Sequence, residues 1–571
     1  MNSNSNSSSQ QIPVIAIGLE SASLSRIEAW MSQGHLSNLR RLKQEGAYGY
    51  LNHIDHYATE TEWTTFLTGC LPTETGYWRP LDFNPATYDI GEPVRPYDFA
   101  DYPPFYALGD QYRVSVFDMP QVPLSNEVNG VQVSAWGAQD PQVSRGSRPS
   151  HLIDTLIATH GEHPAFMKCF GDNWWDQDYL EFLADALNVG ISRRSAICRD
   201  LLRREPWDLF LTVFSEPHSA GHNFWHLSQS EHPMHAHRGN APPDPLLATF
   251  QAIDQALGEI LSVVSDHAYV LVFSCLGMES NANEVPSMVF LPELLYRFNF
   301  PGRVAIAGDT SSEPPPPVIH PNRRKWSEEV WQRRHDPNPI TRVLRRNVPN
   351  TLYHLLSKLD DRWQMQFHAN EPGLTSVNQL YKRGVRLAWQ PTSWYQPLWS
   401  TMQAFALPSF SDGLIRINLK GREAQGIVDP ENYDALCDTL IRHLYDLRDS
   451  RTQEPAVRDI IRTRSSPMDA NPKYPDADLI VLWSDRPMDV VDSPEFGRIG
   501  PVPYRRSGGH QNGGFLMARG PGIAPHSTLP HGHVIDLAPT ILNLMGAPIP
   551  DYLDGTPLLN SVKSFISCHN R

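Results

Sequence analysis

Asp208-Leu209-Phe210-Leu211-Thr212-Val213-Phe214 runs straight into Ser215-Glu216-Pro217-His218-Ser219-Ala220-Gly221-His222. The first part is a short, almost wholly apolar run, the pattern of a strand buried on both faces rather than one. The second part carries two histidines four residues apart, which a helix places on one face, one turn from each other. A strand feeding a helix, with metal-capable side chains just past the strand's carboxyl end, is where open α/β sheets put their sites.

Working outward, similar runs at 14–18, 113–118, 269–274, 478–483 and 514–518 read as further strands of the same sheet. Metal-capable residues again follow two of them, Glu20 and Cys275. Between the strands lie helical patterns. Ile27, Trp30 and Met31 share one side of a first helix, and Ser37 is in place to cap a second that carries Leu39 and Leu42. Leu247, Phe250, Ile253, Leu257, Ile260, Leu261 and Val264 recur at helical spacing. The fold class that follows is α/β, a three-layer α/β/α sandwich with large insertions forming a cap. The expected division is a disordered Asn/Ser/Gln-rich tail over 1–11, a core of 12–289 and 476–571, and an insertion or cap over 290–475. The last contains the run Glu313-Pro-Pro-Pro-Pro-Val, which reads as a stiff surface connection.

The 571 residues carry a formal net charge of −15, which disfavours a nucleic-acid backbone as partner. No run reaches the ~18 apolar residues of a membrane span. Six scattered cysteines without a CxxC pair suggest reduced thiols and a cytoplasmic protein. Nothing in the sequence sets an oligomeric state.

A second stretch, Thr59-Glu60-Thr61-Glu62-Trp63-Thr64-Thr65-Phe66-Leu67-Thr68-Gly69 with Pro72, resembles the nucleophile region of the alkaline phosphatase superfamily, in its type I phosphodiesterase/nucleotide pyrophosphatase branch. Ile15 to Glu20 is similar to that family's opening strand, and Gly34-His35-Leu36-Ser37-Asn38-Leu39 to the segment after it. The run around His218 and His222 resembles its Asp-x-x-x-His segment. Phe273 to Met278 is similar to its Ser-Asp-His-Gly-Met segment. Gly509-His510, Asp536 to Thr540 and Asp554-Gly555 resemble its C-terminal end.

The resemblance implies a metal-dependent hydrolase of phosphomonoesters or phosphodiesters with Thr59 as nucleophile. His218, His222 and His510 would hold one ion, Zn²⁺ or Mn²⁺. Glu20 and Cys275 would contribute to a second site. There the chain departs from the family, with Glu20 and Cys275 at aspartate positions and Leu276 at a histidine position. A second ion then needs Glu216, Glu60 or Glu279 to fill in. The alternatives are a catalytically impaired relative that binds a ligand or partner, and a phosphoryl-type group transferase. The partner expected is a small-molecule phosphoester.

Other conspicuous residues read as structural. The tract His232, His235, His237 and the basic group Arg323, Arg324, Lys325 suit solvated loops. Trp174-Trp175 suits packing as well as a pocket wall, and Arg416 and Arg422 are possible anion contacts.

Overall fold

The computed structural model describes residues 11–90, 96–138, 142–169, 173–237, 244–306, 308–309, 311–318, 325–335, 340, 343, 352 and 373–561. The tail expected over 1–11, but for Gln11, and the basic residues Arg323 and Arg324 lie outside them.

Three apolar runs, Val14–Leu19, Leu209–Phe214 and Tyr269–Ser274, are buried along their whole length. They pair in parallel, with Val14–Leu19 between the other two. Gly109–Phe117 and Val128–Ser134 extend the parallel part beyond Leu209–Phe214. On the other side Gly514–Arg519 and then Ala47–Asn52 join antiparallel. The result is a ten-stranded, mostly parallel sheet.

Side-chain alternation divides its residues between two cores. Ile15, Ile17, Phe210, Val270 and Val272 pack with the helices Leu24–Ser32, Ser37–Glu45, Gln177–Arg204 and Pro245–Leu261. Val14, Ala16, Leu209, Leu211, Tyr269 and Leu271 pack on the opposite face, against Ala58–Thr68 and Leu537–Met545. This is the three-layer α/β/α sandwich. Ser37 proves to be the first helical residue of its helix, which has no cap from its own side chains. Asp254, on another helix, accepts from Leu39 N at 2.8 Å and Asn38 N at 3.0 Å instead.

The strand expected near 478–483 forms as Leu479–Trp483, but not in this sheet. It pairs with Gly413–Ile417 and Val457–Arg462 in a four-stranded antiparallel sheet completed by Ala404–Leu407. That sheet has its own core, with Leu291, Leu294, Trp394, Trp399 and Phe405. A short apolar run does not say which sheet it joins, since burial alone is satisfied in either. Among the described residues five cysteines are buried free thiols, and no helix is long and apolar enough to cross a membrane.

Candidate metal centre and its cavity

The helix after Leu209–Phe214 spans Glu216–Ser228, with Pro217 in its first turn, where the missing N–H costs nothing. His218 and His222 therefore fall on one face within its first two turns. Their Nε2 atoms stand 2.7 Å apart. His510 arrives on the strand Gly508–Gln511, which pairs with Gly277–Ser280 and sets His510 opposite Met278. One ligand atom of each histidine lies within 4.8 Å of the others. Gly508 makes this approach possible, because a Cβ there would sit 2.2 Å from the Gly221 carbonyl oxygen. The glycine-rich segment is thus a strand pressed onto a helix.

Two of the outer ring nitrogens are hydrogen-bonded. His222 Nδ1 donates to the Gly508 carbonyl at 2.8 Å, and His510 Nδ1 lies 3.1 Å from Ser21 Oγ. His218 Nδ1 is 2.9 Å from Glu20 Oε1, close enough for an ion pair but poorly directed for a hydrogen bond. Burial, with the Arg506 charge adding to it, lowers the His218 pKa to about 3. Burial likewise holds His222 and His510 well below the usual histidine value. Three neutral imidazoles converge, and in His222 the nitrogen facing His218 bears a lone pair because the other carries the proton. This donor set, with two of its outer nitrogens already hydrogen-bonded, fits a divalent ion of borderline softness.

Thr59 lies in the first turn of Ala58–Thr68, where backbone N–H groups have no intrahelical partner and the helix dipole is positive. The entry is tight: Tyr57 is left-handed at φ 55° and its N–H donates to Asp412 Oδ2 at 2.7 Å. At the far end, the Thr68-Gly69 pair is a helix stop. Gly69 has φ 65°, and its N–H donates to Thr65 O at 3.0 Å. Asp554 ties that stop to the C-terminal segment, donating from its N–H to Gly69 O at 3.0 Å and accepting from Leu71 N at 2.8 Å.

The second-site residues do not assemble in the same way. Among the described residues, the group able to hold an ion contains the three histidines and neither Glu20 nor Cys275. The Cys275 thiol is buried, and burial, then Glu62 and Glu20, push its pKa well up, which keeps it protonated. None of the glutamates expected to fill in is aimed there. Glu216 pairs with Arg194 at 2.9 Å, Glu279 accepts from Ser25 Oγ at 2.8 Å, and Glu60 accepts from Phe410 N at 3.2 Å. Glu62 is the residue that sequence reasoning passed over. It is buried three residues on from Thr59, and its Oε1 has no hydrogen-bond partner among the described residues. The signal was an acid at i+3 on the helix that begins at the candidate nucleophile.

A cavity of about 570 Å³ opens on Thr59, Glu20, Glu62, His218 and His510. Its walls include Trp63 and Lys168 from the first half of the chain and Lys325, Trp326, Arg386 and Trp389 from beyond residue 290. Thr59 and His510 also line a cleft of about 40 Å³, with Leu276, Asp412, Asp485 and Arg458. The residues read as bystanders are mostly that. Trp174 packs with its indole N–H on Tyr504 O at 3.1 Å. Arg416 is paired with Glu423 and Arg422 with Asp478, both at 2.7 Å, so neither reaches the cavity. His232 is no solvated loop residue, being buried with Nε2 3.2 Å from Ser507 O.

A family model described as type I phosphodiesterase / nucleotide pyrophosphatase matches residues 14–372. The chain belongs to that family. The matched span takes in Glu20, Thr59, His218, His222 and Cys275, and His510 lies beyond it. Membership in the type I phosphodiesterase / nucleotide pyrophosphatase family makes phosphoester hydrolysis the chemistry of this fold's site. Two solved structures of phosphonoacetate hydrolase from Sinorhizobium meliloti 1021 are similar to this member of the family over 92% of its chain and 94% of theirs, at 11% identity. One is in complex with phosphonoformate (TM-score 0.45) and the other with phosphonoacetate (TM-score 0.44). No curated protein matches it in sequence.

Proposed function

We propose that this chain is a metal-dependent hydrolase of phosphomonoesters or phosphodiesters, with Thr59 as nucleophile and one Zn²⁺ or Mn²⁺ held by His218, His222 and His510. One observation carries the reading: three neutral imidazoles converge, and two of them, His218 and His510, line the same cavity as Thr59 at a helix N-terminus. The bound ion supplies Lewis acidity, lowering the hydroxyl's pKa and offsetting charge on the phosphoryl oxygens.

The protein's own groups do the rest. The first N–H groups of Ala58–Thr68 face the anionic phosphoryl group. The Gly508 carbonyl holds His222 in orientation, and the Glu20 carboxylate lies beside His218. Thr59 Oγ, its proton lost to solvent, bonds to phosphorus as the ester oxygen leaves and is protonated to the alcohol; water then splits the Thr59–phosphoryl bond, restoring the hydroxyl and releasing phosphate from a monoester or a phosphomonoester from a diester. Leu276 offers no ligand and Cys275 is protonated, so the reading requires one ion and assigns Glu20 to His218. The partner is a small-molecule phosphoester. Buried, unpaired cysteines favour a reducing compartment, the cytoplasm.

The test is metal content by elemental analysis together with turnover of bis-p-nitrophenyl phosphate. The reading expects about one ion per chain, lost on His218→Ala, and turnover abolished by Thr59→Ala. A chain that holds no metal after loading and turns over no phosphoester is instead the ligand-binding relative.

A further inference from the structure

The cavity beside Thr59 carries groups of both signs. Glu20, Glu60 and Glu62 line it with Thr59, His218 and His510, and so do Lys168 and Lys325. The two arginines of the wall at 505 and 506 share Glu284, with bonds of 2.9 and 2.7 Å. Among the described residues Lys168 and Lys325 form no ion pair, although the chain carries 63 acidic residues against 48 basic ones.

Both lysines are carried on anchored backbone. Lys168 O accepts the Tyr179 hydroxyl at 3.0 Å. Lys325 precedes Trp326, whose indole N–H donates to Pro503 O at 2.7 Å. Each ammonium lies beside an aromatic ring, Phe182 at 5.8 Å and Tyr381 at 5.9 Å. Two cations thus line the ligand-sized cavity that also holds Thr59.

Resting on the hydrolase reading, we propose that the substrate is a phosphoester whose organic part carries a second anionic group, held by Lys168 and Lys325. A carboxylate and a second phosphate share that chemistry, and each accepts charge-assisted hydrogen bonds from ammonium donors.

The experiment is titration calorimetry on the full-length, zinc-loaded Thr59→Ala protein, so that no probe is consumed. Three probes differ only at one end: phenyl phosphate, 4-carboxyphenyl phosphate and 1,4-phenylene bisphosphate. At least one anion-tailed probe should bind about tenfold tighter than phenyl phosphate. In the Lys168→Ala/Lys325→Ala variant that advantage should fall below about twofold, with phenyl phosphate affinity unchanged. A preference for the carboxylate probe alone, or for the bisphosphate alone, names the source. Equal binding of all three, an advantage that survives loss of the lysines, or no binding of any probe overturns the inference. The hydrolase reading is judged separately, by wild-type turnover of bis-p-nitrophenyl phosphate, which carries no anionic tail.

Discussion

Arg194 Nε donates to Glu216 Oε1 at 2.9 Å, two residues before His218 and wholly inside the protein. The same guanidinium reaches Asp118 Oδ2 at 2.9 Å, and His163 Nε2 lies 3.2 Å from Glu216 Oε1. Asp118 in turn accepts from Trp136 N at 2.7 Å and Gly137 N at 3.0 Å. The start of the histidine helix is therefore fastened to the ends of two strands by one buried charge network. Arg194→Met leaves two carboxylates buried without their cation, and is expected to cost ~3–5 kcal/mol in urea unfolding. Burial alone would raise the Glu216 pKa, but the Arg194 charge and the His163 bond override it and leave it at about 2. A carboxyl depressed in the fold stabilises above its unfolded pKa. Wild-type stability should then fall as pH drops from about 4.5 towards 2, and Glu216→Gln should remove that part of the slope.

Thr59→Ala should reduce phosphoester turnover by about 10³-fold or more while leaving metal content unchanged. Thr59→Ser keeps a hydroxyl at the same place and should retain part of the rate. Loss of metal in Thr59→Ala would mean that the threonine serves the ion and not the phosphorus.

Gly508→Ala places a Cβ 2.2 Å from the Gly221 carbonyl oxygen and must push the strand off the helix. The bond that orients His222 goes with it. Zinc affinity, measured by competition with a chelator, should weaken by about 10–100-fold, with the circular dichroism spectrum unchanged.

Glu62 is raised well above the usual carboxyl value by burial first and the nearby Glu20 charge second. A carboxyl raised in the fold contributes stability that is complete below about pH 4.5 and declines as pH rises. In chelator-treated protein, wild type should lose up to ~1.4 kcal/mol per pH unit above that point on this account. Glu62→Gln copies the neutral form and should flatten the decline. Equal urea midpoints for the two proteins at pH 5 and pH 8 would place Glu62 in contact with solvent or with a cation.

The central layer was legible because its strands are buried on both faces and so print as unbroken apolar runs, as at 14–18 and 209–214. The histidine pair was legible because helical spacing depends on the chain alone. His510 could be reached only by resemblance, since the pairing of Gly508–Gln511 with Gly277–Ser280 joins segments more than 200 residues apart. Leu479–Trp483 was assigned to the wrong sheet, and Asp254 was missed as a helix cap, for the same reason. Which long-range partner a strand or an N–H finds is decided by packing, not by local pattern. Glu62 went unread because a buried acid looks the same in sequence as an exposed one.

Thr59 stands between two openings of unequal size. The larger, about 570 Å³, admits an organic molecule, whereas the smaller, about 40 Å³ on the Leu276 side, has room for a few waters, each needing ~10–15 Å³. A phosphorylated Thr59 could then be wetted from the narrow side while the departing alcohol still fills the broad one. The two half-reactions need not take turns at a single doorway, and the order in which products leave is freed from the order in which bonds break.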